Sequence, residues 1–228
     1  MADGHYFDPQ PNVASRPSEL TLPLPEGGLR LQVDRGVFAA RAVDPGTLAL
    51  LAAAPAPAGG GDLLDLGCGY GPIACALARR SPDATVWALD RNQRALELCR
   101  ANAAHLGLTN LRVATAEEIP AGLRFRQVWS NPPIRIGKVA LRELLVSWLG
   151  RLAADGEAWL VVQRHLGADS LAAWLAGEGY QVARHASKRG YRVLHLHPAA
   201  PAGSPPAGQG STLGGDQHRP GPSGGAAE

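Results

Sequence analysis

Sulfur, aromatic rings and lysine are all scarce in this chain. Its 228 residues include three cysteines, Cys68, Cys75 and Cys99, one methionine and 5% aromatics. Three cysteines are too few for a disulfide framework, and no two form a C-x-x-C pair. That excludes the common structural zinc arrangements and points to a reducing compartment, the cytoplasm. Only two of the 22 basic residues are Lys, set against 20 acids, a balance too even to announce nucleic acid by itself. No apolar run approaches the roughly 18 residues of a membrane span. Met1 is followed by Asp3 rather than by a basic and then an apolar segment, so neither a signal peptide nor a membrane partner is expected. The histidines His105, His165, His185, His195 and His197 show no metal-ligand spacing, and no metal is expected. What remains, 45% apolar and 18% charged, is the composition of a soluble globular domain.

The ends differ from the middle. From Pro198 to Glu228, 14 of 31 residues are Gly or Pro and Leu213 is the one large aliphatic. Such a segment cannot bury enough surface to offset its ordering, so residues 198–228 read as a disordered tail. Residues 1–18 read as a polar arm, yet they gather His5, Tyr6 and Phe7, a cluster suited to docking. Between Glu19 and Asp34, Leu20, Leu22, Leu24 and Leu29, Leu31, Val33 alternate around Pro25-Glu26-Gly27-Gly28, the pattern of a β-hairpin. It opens a domain spanning residues 19–197.

Seven apolar runs follow: 63–66, 85–89, 111–115, 127–130, 158–162, 180–185 and 191–196. Helix-like segments lie between them, one after Gly71 and others over 92–106, 139–152 and 168–177; Val37 and Phe38 also precede a helix. Strand and helix in alternation predict an α/β domain with a seven-stranded, mostly parallel sheet covered on both faces. The last two runs are separated only by 186–190, so they predict an antiparallel hairpin at the sheet edge. Two stretches, 119–142 and 179–197, hold five and four cations and no acid.

The run 63–66 leads straight into Gly67-Cys68-Gly69-Tyr70-Gly71-Pro72, a turn that lets a ligand approach bare backbone at the carboxyl end of a strand. A dinucleotide fingerprint, G-x-G-x-x-G, rests a pyrophosphate on the helix N-terminus. Here the third glycine comes one residue too early and Asp65 stands just before the loop. A carboxylate repels pyrophosphate and attracts a cationic amino-acid moiety, which favours S-adenosylmethionine over NAD. Asp90, 21 residues after Gly69, ends the second run where a carboxylate can accept both ribose hydroxyls; Arg91 follows it. Ala116 and Glu117 end the third, where a carboxylate can receive an adenine amino group.

The fourth run ends Ser130-Asn131-Pro132-Pro133-Ile134. The Asn131 side-chain oxygen and the Pro132 carbonyl can accept two hydrogen bonds from one planar NH2 group. That directs the nitrogen lone pair toward an electrophilic methyl, so transfer needs orientation and fixed dipoles rather than a nucleophile or metal.

Asp65-Leu66-Gly67-Cys68-Gly69-Tyr70-Gly71-Pro72, Asp90 and Asn131-Pro132-Pro133-Ile134 together resemble the class I S-adenosylmethionine-dependent methyltransferases, with their Rossmann-like sheet. More narrowly, His5-Tyr6-Phe7, Gly36-Val37-Phe38 and Asp44-Pro45-Gly46-Thr47 are similar to the N-terminal signature of the small-domain ribosomal RNA guanine-N2 methyltransferases, the RsmC-like group. The resemblance covers about residues 5–197 and implies an exocyclic guanine N2 as acceptor, ribosomal RNA or a ribosomal subunit as partner, and Asn131 as the residue holding the amine. It also implies that Arg135 and Lys138 meet RNA phosphate and that Phe38 can stack on the base. Ile134 stands where many members carry an aromatic ring. Protein glutamine and DNA adenine remain open as acceptors for the same chemistry, and a binding module without catalysis remains open as another class.

Overall fold

The computed structural model of the protein describes residues 14–39 and 41–199. The His5-Tyr6-Phe7 cluster and all but the first two residues of the expected tail lie outside them. At the start, β1 (Ser18–Leu22) and β2 (Leu29–Val33) pair antiparallel, Ser18 opposite Val33 and Leu22 opposite Leu29, as the alternating leucines require. Their inward side chains, Leu22, Leu29, Leu31 and Val33, are buried.

The chain then continues as α1 (Pro45–Ala53), β3 (Gly61–Leu66), α2 (Pro72–Arg80), β4 (Ala84–Leu89), α3 (Gln93–His105), β5 (Leu111–Ala114) and β6 (Phe125–Ser130). After these come α4 (Lys138–Leu149), β7 (Leu152–Gln163), α5 (Ala168–Gly177), β8 (Tyr180–Lys188) and β9 (Tyr191–Pro198). Short 3-10 turns occupy Ile134–Ile136 and Arg164–Leu166. The sheet order is β5-β4-β3-β6-β7-β9-β8. Only β9 runs against the rest, pairing antiparallel with β7 and with β8, which is the expected edge hairpin.

Period-2 alternation divides the core. Leu63, Trp129, Trp159 and Val161 face α1, α2, α3 and the N-terminal hairpin. Leu64, Leu66, Val128 and Leu160 face α4 and α5. Each such side chain, fully buried, contributes roughly 1.5–3 kcal/mol. Among the described residues no helix is long and apolar enough to cross a membrane.

Two boundaries differ from the sequence reading. The helix expected to reach Leu152 stops at Leu149, capped by Gly150, and Leu152 instead opens β7 opposite Phe125. Pro198, assigned to the tail, still pairs with Tyr180 in β9. Pro is tolerated there because a strand end needs no further ladder donor.

Order and direction together place the site. The chain leaves β3 toward β4 and β5 on one side, then returns to set β6 on the other, so β3 and β6 flank the point where the winding reverses. Ligands of open α/β sheets bind outside the carboxyl ends of strands at such a point.

Candidate active site

Beyond Leu66 the backbone turns through Gly67, Gly69 and Gly71 with φ of +78°, +55° and +92°, a region that favours glycine. The amides of Gly67 and Cys68 both donate to the Leu89 carbonyl, at 2.8 and 2.9 Å, tying the loop to the end of β4. A Cβ on Gly71 would stand 2.6 Å from Cys99 Sγ, whereas one on Gly69 would meet nothing within 4 Å. Gly71 thus serves close packing of α2 against α3, and Gly69 leaves its backbone open to a ligand.

Asp65 departs from expectation. Alternation along β3 turns it toward α2, where Oδ2 accepts from Ala74 N at 2.9 Å and the residue is completely buried. It does not line the crevice, and among the described residues its Oδ1 has no donor. Burial pushes its carboxyl up to about 8, against the Ala74 hydrogen bond and with help from the Asp90 charge.

Above the strand ends lies a crevice of about 530 Å³, within the range of small-ligand sites. Gly67, Cys68, Gly69, Asp90, Arg91, Ala116, Glu117, Asn131, Pro133 and Phe38 all line it. The Asp90 carboxylate is held rigidly: Oδ2 accepts from Gly69 N at 2.8 Å, and Oδ1 from Arg91 N and Asn92 N at 2.7 and 2.9 Å. One lone pair, on Oδ2, is left to accept a hydroxyl. Asn92 caps α3 through Ala95 N and also donates to the Gly36 carbonyl at 3.0 Å, which fixes the segment carrying Phe38. Beside Glu117, Glu118 accepts from Thr115 N at 2.7 Å, closing the turn that presents Glu117 to the crevice.

The end of β6 is anchored by Ser130 Oγ, which donates to the Leu66 carbonyl at 2.7 Å. Next to it, Asn131 Nδ2 donates to Asp44 Oδ1 at 2.7 Å and to Thr47 Oγ1 at 3.2 Å. A carboxylate can only accept, so Asp44 dictates which way the amide faces. Both amide hydrogens are committed, and Oδ1, which no donor among the described residues reaches, is left as the acceptor. Asp44 Oδ1 also accepts from Gly46 N and Thr47 N, capping α1. One oxygen therefore starts a helix and orients the asparagine.

The rest of the turn is less available than the sequence suggests. Pro132 is buried and does not line the crevice, and its carbonyl already accepts from Ile134 N at 2.8 Å, leaving one lone pair. Ile134 packs against the α4–α5 side of the core. Arg135 and Lys138 are exposed on the 3-10 turn and the first residue of α4; between them Ile136, not either cation, reaches the crevice wall.

Sequence reasoning missed the α4 wall, formed by Ala140, Glu143, Leu144 and Trp148, and also Asp44 and Thr47 as lining residues. A signal for the first was present, since Ala140, Leu144 and Trp148 recur every fourth residue and share one helix face.

The methyltransferase small domain family model matches residues 28–195. An uncharacterized protein of Bacillus subtilis, YbxB, is 33% identical over 193 residues, covering 83% of this chain and 96% of its own length. Ribosomal RNA small subunit methyltransferase C of Pseudomonas aeruginosa (strain LESB58) is 32% identical over 187 residues, covering 76% of this chain and 55% of that protein. In structure, a T. thermophilus 16S rRNA N2 methyltransferase (RsmC), solved with AdoMet and guanosine, superposes with a TM-score of 0.69 at 23% identity. That match covers 82% of this chain and 52% of the other. The chain thus spans about half the length of the RsmC proteins it matches.

Proposed function

The chain belongs to the methyltransferase small domain family, of the RsmC-like class I type, and on that premise we propose that it methylates an exocyclic amino group, guanine N2 of ribosomal RNA, using S-adenosylmethionine. The crevice suits that cofactor. Gly69 leaves room for close approach, and Asp90 is a rigid acceptor at the end of β4. Asp90 would hold a ribose hydroxyl, Glu117 the adenine amino group, and Gly67 to Gly69 the backbone contacts.

When bound, S-adenosylmethionine supplies an electrophilic methyl group. The chain's own part is to deliver a nitrogen in the right pose. Asn131 Oδ1 accepts one N–H of the amine and sets the direction in which the nitrogen points, while Pro132, its carbonyl taken by Ile134 N, shapes the turn that carries Asn131. An N–H held off the base plane would draw the nitrogen toward a pyramidal shape and so turn its lone pair out of conjugation. Preset acceptors of this kind lower the barrier because they need no reorganisation during reaction. Phe38, 39% exposed on the crevice wall, offers a face for the extruded base, and Arg135 and Lys138 offer charge to nearby phosphates.

The observation that carries this reading is the amide of Asn131 on the crevice wall, its hydrogens committed to Asp44 and Thr47 so that its oxygen is left to accept. The test is incubation with methyl-labelled S-adenosylmethionine and separate RNA, small-subunit, DNA and protein pools, followed by nucleoside mass analysis. Label is expected as N2-methylguanosine in ribosomal RNA or the subunit, lost in Asn131→Ala with cofactor binding retained. Label in adenine or glutamine, or full turnover by the variant, would overturn the assignment.

A further inference from the structure

A second cluster of chemically active side chains lies where β7 meets β9, and none of its members lines the crevice. Trp159 pairs opposite His195 and Ala158 opposite Leu196, so alternation sets Glu157, His195 and His197 on one face of the sheet. Glu157 Oε2 lies 2.5 Å from His195 Nε2. One ligand atom from each of Glu157, His195 and His197 falls within 4.8 Å of the others. Both Glu157 and His195 are partly open, each with a 21% exposed side chain, and His197 is exposed, so an ion has a way in from solvent.

The surroundings hold these groups in place. Glu157 Oε1 accepts from Gln127 Nε2 at 2.5 Å, and Gln127 Oε1 accepts from Trp129 Nε1 at 2.8 Å. The His195 ring stacks on Trp159, centroids 3.8 Å apart and planes within 9°. A carboxylate fixed from behind by a buried hydrogen-bond chain, and an imidazole fixed by stacking, are the outer supports that orient metal ligands.

We propose that Glu157, His195 and His197 form a zinc-binding site joining β7 to β9. Two imidazoles and one carboxylate are a known zinc donor set, and imidazole favours borderline divalent ions over calcium or magnesium. Zinc–ligand bonds of about 2.0–2.2 Å would draw the three donors together and part the short Glu157–His195 contact. A fourth position would remain to water. Along the chain the site is easily missed: His195 and His197 share a face only because they lie on a strand, and Glu157 lies 38 residues before His195.

The test is calorimetric titration of the chelator-treated full chain with zinc chloride, paired with cobalt(II) quenching of tryptophan fluorescence, to which Trp159 contributes. One equivalent of zinc is expected, with affinity falling at least tenfold in His197→Ala and in Glu157→Gln. The first removes an exposed group and the second keeps the shape of the Gln127 and His195 contacts, so both should fold. His5 and His218 remain in every variant, and binding that is unchanged by either substitution belongs elsewhere and overturns the proposal. So does the absence of any heat or quenching at millimolar metal.

Discussion

Replacing Asp44 by Ser separates two tasks that one oxygen performs. Serine caps a helix about as well as aspartate, so α1 should keep its start and the melting temperature should fall only by what the lost Asn131 hydrogen bond costs. Its hydroxyl is one atom shorter than the carboxylate and cannot also meet the Asn131 amide at the 2.7 Å now observed. That hydrogen bond runs to a charged acceptor, worth about 1.5–3 kcal/mol, and at about 1.4 kcal/mol per factor of ten its loss lowers kcat by about 10- to 150-fold. Thr47 Oγ1, at 3.2 Å, is the weaker partner and holds the fall toward the lower end. Asp44→Asn is the control: it retains the cap and an acceptor oxygen but loses the charge, which roughly halves the hydrogen bond. The expected order of kcat is wild type, then Asp44→Asn, then Asp44→Ser, with cofactor affinity near wild type in all three. Single-turnover methyl transfer measured beside thermal melts decides it. Full activity in Asp44→Ser, or losses that merely follow melting temperature, would refute the orienting role.

Asp90→Ala should weaken S-adenosylmethionine binding by calorimetry and also loosen the loop, since Gly69 N loses its acceptor; unchanged affinity would remove the ribose assignment. Asp65 predicts a pH dependence without cofactor. Its folded carboxyl titrates near 8 against an ordinary 3.8, so between those values the folded state holds the extra proton and stability falls as pH rises. Melts of Asp65→Asn across pH 4–8 should show a shallower decline than wild type, and an identical slope would place that proton elsewhere.

The seven strands, the edge hairpin and the glycine loop were legible because each is written in short-range pattern: alternation, a run of glycines, a connection too short for a helix. The crevice-lining positions of Asp90, Ala116 and Glu117 were legible for the same reason, since they sit at strand ends. Asp65 was misread because its position before the loop suggests proximity to a ligand, while the period of β3 decides that it faces α2. Pro132 was overrated because the sequence cannot show that Ile134 N turns back on its carbonyl. Asp44 and the cluster of Glu157, His195 and His197 depend on contacts across 87 and 38 residues, and no local pattern encodes which strand or helix will lie alongside.

Three asparagines explain why the N-terminal unit belongs to the site rather than merely covering it. Asn102 in α3, fully buried, exchanges hydrogen bonds with both backbone groups of Gln32 and donates to the Tyr70 carbonyl. It thereby joins β2 to the glycine loop. Asn92 joins the start of α3 to Gly36, and Asn131 joins the catalytic turn to Asp44. Each link sets an amide between the hairpin–α1 segment and a strand end or helix start of the main sheet, and a buried amide that loses its partner costs about 1–3 kcal/mol. The segment from β2 to α1 is thus held at three points around the crevice, with Phe38 and Thr47 carried between them as part of its wall. A methyltransferase of this design cannot shed its N-terminal hairpin and keep the geometry of this crevice, because Asp44, the residue that orients the Asn131 amide, is delivered by the segment that follows it.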